Sequence, residues 1–592
     1  MDIQAAMGRF FDEQGNIALP PELTLAALSE ILFQMDLAAG QGDRHCMRFW
    51  DYSSSREGEA IDFTRQQINT RIKAVAARLQ QTAQPGDRIA ILANNSPEYI
   101  FSFMGSMYAG MTPVPLYDPT EPGHADHLNA VIGDAQPSVV LTNSTSAAAT
   151  RKFFAAIPGT QRPRILSVDA LPDSLATQWQ QPQGAPKADP VDTPALLQYT
   201  SGSTRTPAGV ILTHRSVITN VLQIFRSIQI QMPLRMVTWL PLHHDMGIIT
   251  AALVNVLGMQ YEFMSPRDFI QQPERWLRQL AEGEGNVYTA IPNFALEMSA
   301  RVETSKSYDF SKVIGLIVGS EPVTEKAVEN FLEKFEPMGL DRQALRPSYG
   351  LAEASLLVST PQTEHRPRIT HFDREALAEN RAEVVEQGVP LVGVGQVVNA
   401  QKMVVVDPET RKELPEGQIG ELWAHGGNMA AGYLGREAET QETFRNTLGE
   451  RLSDGLPEDD FWMATGDLAM IVDGELYITG RLKDLIIVAG RNHYPQDIEY
   501  TVDHASEQVR PYAVAAFAIE GDDVEKLIIL AERDLDKDPS GDEAAIEAIR
   551  AAVTEAHGVQ PEDIRIMGPD EIARSSSGKI ARRVAKKRYL SS

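Results

Sequence analysis

The sequence predicts an α/β protein with at least two domains. Its 592 residues exceed what one hydrophobic core usually supports. The content of 43% apolar and 23% charged residues is that of a folded globular chain. Short apolar strands alternate with helices, as in residues 87–93, a buried strand, and residues 96–110, the helix after it. This alternation is typical of sheets covered by helices.

Further segments extend the pattern along the chain. Residues 139–141 and 164–168 are predicted strands of the same sheet. A loop rich in proline, glycine and glutamine, residues 181–194, leads into the next apolar strand. Residues 402–406 and 420–423 indicate a strand-rich subdomain further along.

The pattern restarts after Arg481 and predicts a separate C-terminal domain of roughly 110 residues, a normal size for an independent unit. Residues 512–519 and 526–531 are predicted to pair as strands. A helix is predicted to open at Ser540, because Glu543 follows three places on, in the spacing of a capping box. The apolar face of this helix carries Ile546, Ile549 and Val553.

The net charge of -26 argues against a protein that binds nucleic acid or an anionic membrane surface, because like charges repel. One stretch departs from this balance. Residues 572–592 contain seven basic residues and no acidic one. Two interpretations stay open for this stretch, a solvated face and a surface for an acidic partner.

Cysteine content and apolar runs indicate the cellular compartment of the protein. Cys46 is the only cysteine, which excludes an internal disulfide framework and a thiolate-rich metal site. Residues 1–15 lack the apolar core of a signal peptide. The longest apolar stretch, residues 247–259, is too short for a membrane span, so we expect a cytoplasmic protein without integral membrane contact.

Residues 195–212 consist of an apolar strand, a loop of glycine, serine and threonine, and a second apolar strand. Small residues let backbone N–H groups converge on an anion, and hydroxyl groups add donors, so the loop is a candidate phosphate cradle. It lacks the Walker spacing and leads into a strand instead of a helix. A flexible hairpin loop is the alternative interpretation.

Lys579 follows a small, polar loop, residues 573–578, just before a basic helix. A lysine placed there could enter another domain's active site and act as a catalytic cation. The alternative is a solvated helix start, since a Ser/Gly loop followed by lysine and arginine usually lies in water.

Several motifs occur in the order used by the adenylate-forming superfamily of acyl-CoA synthetases, luciferases and peptide-synthetase adenylation domains. They are residues 109–118, 201–209, 319–322, 348–353, 464–467, 480–484 and 577–579. The sequence resembles the fatty acyl-AMP ligase branch in particular. Arg205 and Ala208 stand where many superfamily members have glycine and lysine, and residues 240–247 and 372–377 also match that branch.

This resemblance implies a specific architecture. The N-terminal adenylation domain, residues 1–481, would contain two α/β sheet subdomains and a small β-barrel subdomain. A mobile α+β C-terminal domain, residues 482–592, would rotate about a hinge at Lys483 after adenylation. Residues 361–390, with a helical stretch at residues 373–385, resemble the insertion that is thought to restrain that rotation in fatty acyl-AMP ligases. A plain surface elaboration is the competing interpretation.

The resemblance also implies the site residues. Lys579 would bridge the substrate carboxylate and the α-phosphate of ATP, Glu353 would act in catalysis by holding Mg²⁺, and His244 would lie at the entrance of an acyl tunnel. Tyr349 would stack on adenine, and Asp467 and Arg481 would contact the ribose. The nucleotide-binding set is Thr200, Ser201, Gly202, Ser203, Thr204, Gly319, Ser320, Glu321, Pro322, Ser348, Tyr349, Gly350, Leu351, Ala352, Asp467, Arg481 and Lys579.

A metal site at His243, His244 and Asp245 is the weaker alternative, because adjacent histidines point in different directions on a regular element. The implied reaction converts a medium- or long-chain fatty acid and ATP into acyl-adenylate and pyrophosphate. The acyl group then passes to the phosphopantetheine thiol of a separate acyl carrier protein, whose acidic surface could dock on residues 582–588.

Three other functions are alternatives for this sequence. An acyl-CoA synthetase would accept free CoA instead of a carrier protein. A non-catalytic acyl-nucleotide sensor would be expected to lose Lys579, Glu353 or Asp467, and all three are present. An amino-acid adenylating enzyme needs a buried acid for the substrate ammonium, and Asp245 is the nearby candidate.

Overall fold

The computed structural model of the chain describes residues 3–121, 125–157, 162–182, 189–200, 207–303, 308–364, 366–488, 491–520, 525–574 and 579–591. Predicted site residues Ser201, Gly202, Ser203 and Thr204 lie outside these ranges, as do Arg205 and residues 575–578 of the loop before Lys579.

Seven of the described strands form the largest sheet. All neighbours run parallel except the last pair, which is antiparallel. In spatial order the strands are Leu345–Pro347, Val313–Gly319, Asn286–Pro292, Leu234–Thr238, Gln260–Phe263, His45–Asp51 and Glu59–Thr64. Because parallel strands end at the same edge, the loops that follow the first three meet there, where α/β proteins bind ligands.

A second, all-parallel sheet confirms the strands predicted early in the sequence. Its described strands are, in order, Thr112–Pro115, Arg88–Ile91, Val139–Thr142 and Arg164–Ser167. The predicted helix after residues 87–93 spans Pro97–Tyr108. The hydroxyl of Ser96 caps it by accepting from the Tyr99 N–H at 3.4 Å.

The predicted strand–loop–strand unit is an antiparallel pair, Pro194–Tyr199 and Gly209–Thr213. A short strand, Gly432–Tyr433, pairs with the second of these. The helices of this large N-terminal region are Ile3–Gly8, Leu25–Ala38, Arg65–Gln80, Pro97–Tyr108, Ala125–Ala135, Ser144–Phe154, His214–Ser227, Asp245–Val256, Pro266–Gln271, Glu274–Ala281, Asn293–Ala300, Glu325–Phe335, Arg374–Ala378 and Glu437–Phe444.

The strand-rich subdomain differs from the expected barrel. Its main sheet runs antiparallel through Gln401–Val406, Gly420–Gly426, Met463–Val472 and Glu475–Arg481. Within the described residues its first and last strands do not pair with each other, so the sheet is open. A smaller sheet consists of Tyr349–Gly350, Leu357–Thr360 and Gln396–Val397, and its first strand belongs to the predicted nucleotide motif at residues 348–353.

The insertion at residues 361–390 packs against this subdomain. It contributes the strand Ile369–Phe372, which pairs with Val389–Val392, and a short helix. The prediction of a helical stretch over residues 373–385 is wrong beyond Ala378, because Asn380 adopts a left-handed φ of 60° that ends the helix. Phe372 and Leu377 are buried with Tyr477 of the main sheet and Tyr494 of the C-terminal region.

The C-terminal region contains the predicted strand pair, Val509–Ile519 with Lys526–Arg533, and Asp563–Met567 beside it. Two short strands, Ile486–Val488 and Arg491–His493, precede it. The helices are Pro495–Ala505, Asp542–His557 and Arg582–Ser591, the last of which we call the C-terminal helix. Among the helices of the described residues, none combines the length and apolar content that a membrane crossing requires.

The capping box predicted at Ser540 is wrong. The helix begins two residues later, at Asp542, and its N-terminal cap is Gly541 without a side-chain hydrogen bond. Asp538 takes the capping role one turn earlier, since its carboxylate accepts from the Ser540 N–H at 2.8 Å and opens a short 3₁₀ turn. The apolar face is as predicted, with Ile549 and Val553 fully buried.

Candidate active site

A cavity of about 1370 Å³ lies between the large N-terminal region and the C-terminal region. Its lining contains every predicted site residue that the structure describes, from seven separate stretches of the chain. These are Thr200, His244, Gly319, Ser320, Glu321, Pro322, Ser348, Tyr349, Gly350, Leu351, Ala352, Glu353, Asp467, Arg481 and Lys579. Their roles stay predictions, but the shared location is a structural fact.

Two of the predicted nucleotide motifs follow neighbouring parallel strands. Residues 319–322 come at the end of Val313–Gly319, and residues 348–353 follow Leu345–Pro347. The strands bring the motifs so close that a Cβ atom at Gly319 would lie 3.1 Å from the Ser348 carbonyl oxygen. The backbone there is tight enough that glycine is the residue that fits without a shift.

Asp467 and Arg481 lie opposite each other on adjacent antiparallel strands. Arg481 Nε is 3.3 Å from Asp467 Oδ1, and the Tyr349 hydroxyl donates to Asp467 Oδ2 at 2.5 Å. The Asp467 carboxylate raises the pKa of Arg481, which keeps the guanidinium charged. A carboxylate has lone pairs beyond these two contacts, so Asp467 can also accept from ribose hydroxyls.

Glu353 lies on a short 3₁₀ turn, Ala352–Ala354, at the cavity wall. Its Oε1 accepts a hydrogen bond from the Tyr433 hydroxyl at 2.9 Å. Burial raises the pKa of its carboxyl, so a cation in the cavity would stabilise the ionised form. Within the described ranges, no group of three or more histidine, cysteine, aspartate or glutamate side chains is placed to hold a metal.

A single carboxylate is a chemical fit for Mg²⁺ that arrives with ATP, because Mg²⁺ is usually held by one or two carboxylates together with phosphate oxygens. The alternative metal site at His243, His244 and Asp245 gains no support among the described residues. His243 packs edge-on to Tyr117 with ring centroids 5.1 Å apart, and its carbonyl accepts from Gln198 Nε2 at 2.9 Å.

Lys579 is one of the residues that the C-terminal region contributes to the cavity lining. Burial lowers the pKa of its ammonium, while the carboxylates of Glu321 and Asp245 oppose this shift. Glu321 in turn accepts from the Phe294 N–H at 2.7 Å, which holds its carboxylate at the start of the helix Asn293–Ala300. The lysine therefore faces a wall that supplies negative charge before any substrate binds.

The segment that carries Lys579 is anchored on both sides. Arg574 Nη2 lies 3.3 Å from the fully buried carboxylate of Glu532. Arg582 donates two hydrogen bonds of 2.6 Å to the carboxylate of Glu499. A bidentate pair fixes geometry as well as adding energy, so Arg582, three residues after Lys579, is held in place by the C-terminal region.

His244, the residue before the helix Asp245–Val256, lines the cavity. Part of the lining is apolar, and we call this part the apolar arm. The arm is formed by residues of this helix, of the helix His214–Ser227 and of strands in the large sheet. Its apolar lining includes Ile224, Ile228, Met236, Leu253, Ala290 and Ile317. Sequence reasoning did not find these residues, because an apolar tunnel wall and an apolar core have the same pattern.

The insertion contacts the C-terminal region directly. Arg374 donates to both carboxylate oxygens of Asp497, at 2.8 and 2.9 Å. Asn380 Oδ1 accepts from Asn492 Nδ2 at 3.0 Å. The predicted hinge residue, Lys483, is exposed and lies 3.9 Å from the Glu442 carboxylate. The insertion therefore links the two regions in this conformation.

A family model described as AMP-binding enzyme matches residues 36–434. A second model, described as the AMP domain of Disco-interacting protein 2-like proteins, matches residues 483–592. The chain belongs to the AMP-binding enzyme family and is an ATP-dependent, AMP-forming ligase with the adenylate-forming fold.

The chain is 42% identical over 585 residues to the long-chain-fatty-acid–AMP ligase FadD32 of Mycobacterium marinum, covering 93% of this chain and 92% of the relative. A structure from a study of fatty acyl-adenylate ligases from E. coli and L. pneumophila superposes with a TM-score of 0.82 and 28% identity, covering 96% of this chain and 98% of that one. An L. pneumophila fatty acyl-adenylate ligase in complex with acyl adenylate and pyrophosphate superposes with a TM-score of 0.70 and 28% identity, covering 96% of each chain. Within its family the chain is therefore a fatty acyl-AMP ligase, as its motifs predicted.

Proposed function

We propose that this protein joins a medium- or long-chain fatty acid to ATP and passes the acyl group to the phosphopantetheine thiol of a separate acyl carrier protein. A carboxylate oxygen of the fatty acid attacks the α-phosphorus, and the bond to pyrophosphate breaks. The thiol sulfur then attacks the acyl carbon, the thiol loses its proton, and AMP leaves. We expect this activity in the cytoplasm, where ATP is available.

The proposal rests on one observation: Lys579, the apolar arm and the predicted nucleotide motifs all line the same cavity. Negative charge builds up where the carboxylate meets the α-phosphate, so a cation fixed there lowers the barrier. Lys579 supplies it in the first half-reaction. Residues 482–592 then rotate about Lys483 relative to residues 1–481, which withdraws Lys579 and admits the thiol.

The remaining side chains of the cavity bind and orient the substrates. Asp467 and Arg481 hold the ribose, Tyr349 packs on the adenine, and the loop beginning at Thr200 cradles the phosphates. Glu353 would hold Mg²⁺, which supplies charge neutralisation at the phosphate oxygens when bound. Asp245 lines the cavity, but its Oδ1 already accepts from the Met246 N–H at 2.7 Å. The apolar arm beside it favours an acyl chain over an amino acid.

Incubation with ATP, Mg²⁺ and dodecanoate tests the proposal, with acyl-adenylate and thioester separated by mass spectrometry. We expect dodecanoyl-adenylate and pyrophosphate, and thioester on an added carrier protein. Efficient acyl-CoA synthesis from free CoA would instead identify an acyl-CoA synthetase. The absence of any adenylate would contradict both activities.

We expect the insertion to limit thioester formation with free CoA by restraining the rotation. Deleting residues 361–390 is a poor test, because Phe372 and Leu377 belong to a buried cluster. Arg374→Ala removes only the bidentate pair with Asp497. A partly exposed pair of this kind contributes about 1 kcal/mol, so acyl-CoA formation should rise about fivefold while adenylation stays unchanged.

The matched control is Arg368→Ala. Arg368 lies on the same insertion, but its ion pair, at 2.9 Å, is with Asp473 in the strand-rich subdomain and does not reach the C-terminal region. Acyl-CoA formation should be measured for both variants and should rise in Arg374→Ala alone. An equal rise in both, or none in Arg374→Ala, would favour a plain surface elaboration.

The expected docking of a carrier on residues 582–588 needs correction. Arg582 is paired with Glu499, and Arg583 lies 3.2 Å from Asp484, so these two residues hold the fold together. Lys587 and Arg588 are the exposed cations of the C-terminal helix. An acidic carrier would be attracted to them over a chain that is otherwise strongly negative.

Replacing Lys587 and Arg588 together by glutamate should raise the KM for an acidic carrier protein by about tenfold at low salt, because rim charges steer association. Adenylation should not change. Arg151 and Lys152, an exposed pair on the helix Ser144–Phe154, provide the control when replaced in the same way. The difference in KM between the Lys587 and Arg588 variant and the unchanged protein should shrink above about 0.5 M salt. An unchanged KM at low salt would remove the C-terminal helix from the docking surface.

A further inference from the structure

Tyr433 contacts the predicted metal ligand from a segment outside the sequence motifs that carry the resemblance. It lies on the strand Gly432–Tyr433, which pairs with Gly209–Thr213, the strand that leaves the phosphate loop. Its hydroxyl donates to Glu353 Oε1 at 2.9 Å. The Ala430 N–H donates to the Glu353 carbonyl at 2.8 Å. The same short segment therefore holds both the backbone and the carboxylate of Glu353.

Tyr433 is itself held rigidly. Its backbone N–H donates to Thr440 Oγ1 at 2.9 Å, and its ring lies against Phe444 with centroids 5.3 Å apart. Gly432 before it has φ of 145°, and a Cβ atom there would lie 2.4 Å from Thr440 Cγ2. Arg436 Nη2 donates to the Pro207 carbonyl at 2.7 Å, which fixes the segment to the end of the phosphate loop. These contacts fix the position of the ring that carries the hydroxyl.

We propose that Tyr433 is a positioning residue that orients the Glu353 carboxylate for the cation that accompanies ATP. This inference rests on the proposed function. A glutamate side chain turns about several bonds, and a hydrogen bond to one oxygen selects an orientation. Each carboxylate oxygen has more than one lone pair, so Oε1 can accept from the hydroxyl while the group coordinates a cation. Removing such a partner of a metal ligand typically weakens metal binding 10–100-fold.

Tyr433→Phe tests this role, since it removes the hydroxyl and keeps the ring. We expect the apparent Mg²⁺ dependence of pyrophosphate release to shift to about 10–100-fold higher concentration. The KM for dodecanoate should not change. Binding of Mn²⁺ in the presence of a non-hydrolysable ATP analogue, measured by electron paramagnetic resonance, should weaken by the same factor without any turnover.

Tyr477→Phe is the control. Tyr477 is fully buried in the strand-rich subdomain, where its hydroxyl lies 2.8 Å from Thr370 Oγ1. It tests the loss of a tyrosine hydroxyl away from the cavity, and thermal unfolding of both variants measures the stability cost. In Glu353→Gln, adding Tyr433→Phe should weaken Mn²⁺ binding little further, because the hydroxyl acts through the carboxylate.

Unchanged Mn²⁺ binding in Tyr433→Phe would overturn the inference, and so would an equal weakening in Tyr477→Phe or full additivity with Glu353→Gln. A wild-type protein that binds Mn²⁺ with the ATP analogue but releases no pyrophosphate with any fatty acid would instead contradict the proposed function. The two failures are therefore distinguishable.

Discussion

Lys579→Ala is expected to slow acyl-adenylate formation by about two to three orders of magnitude. A cation about 4 Å from a developing charge, at an effective dielectric constant near 20, interacts with it by about 4 kcal/mol. Most of that energy is lost from the transition state, which lowers the rate by the stated factor. Rapid-quench measurement of adenylate from ATP and dodecanoate provides the rate.

ATP binding should survive this substitution, because the other predicted nucleotide contacts come from the N-terminal region. Lys586→Ala, seven residues further on in the C-terminal helix, removes the same charge away from the cavity lining and should leave the rate within about twofold. A folded Lys579→Ala protein with full adenylation activity would remove Lys579 from the proposed mechanism.

Dodecanoate is expected to exceed acetate in kcat/KM by several orders of magnitude. Each buried methylene contributes about 0.8 kcal/mol, so ten give a gross potential of about 8 kcal/mol, of which part is lost in ordering the chain. Initial rates of pyrophosphate release over a series of acids measure the effect. Equal use of the two acids would contradict a long apolar arm.

Leu253→Trp provides a structural check on the same prediction. Leu253 is 2% exposed and lines the arm, so the larger side chain should shorten the space available. The preferred acid should become shorter while the KM for ATP stays constant. A parallel loss of activity for all acids would instead indicate a general packing defect, which a thermal unfolding measurement would reveal.

The sequence predicted the parts of the site that depend on local order. The strands before and after the phosphate loop, the pair Val509–Ile519 with Lys526–Arg533, and the family itself follow from apolar runs and ordered motifs. Parallel strands end at one edge, which explains why motifs far apart in the chain line one cavity.

Contacts between side chains far apart in the chain could not be predicted from the sequence. Arg374 and Asp497 are 123 positions apart, and Tyr433 and Glu353 are 80 apart, with no spacing rule to pair them. The basic stretch at the C-terminus is the instructive case. Its composition suggested one docking surface, but Arg582 and Arg583 pair with carboxylates of the same region. Which basic side chains pair internally and which stay exposed depends on the folded structure.

Transfer of isotopic oxygen tests the central claim most directly. Dodecanoate labelled with ¹⁸O in both carboxylate oxygens is incubated with ATP, Mg²⁺ and a phosphopantetheine-bearing carrier protein, and the AMP is analysed by mass spectrometry. Attack of the carboxylate on the α-phosphorus places one labelled oxygen in each AMP released, and we predict AMP with a single ¹⁸O. Unlabelled AMP, or label in inorganic phosphate, would contradict an acyl-adenylate intermediate.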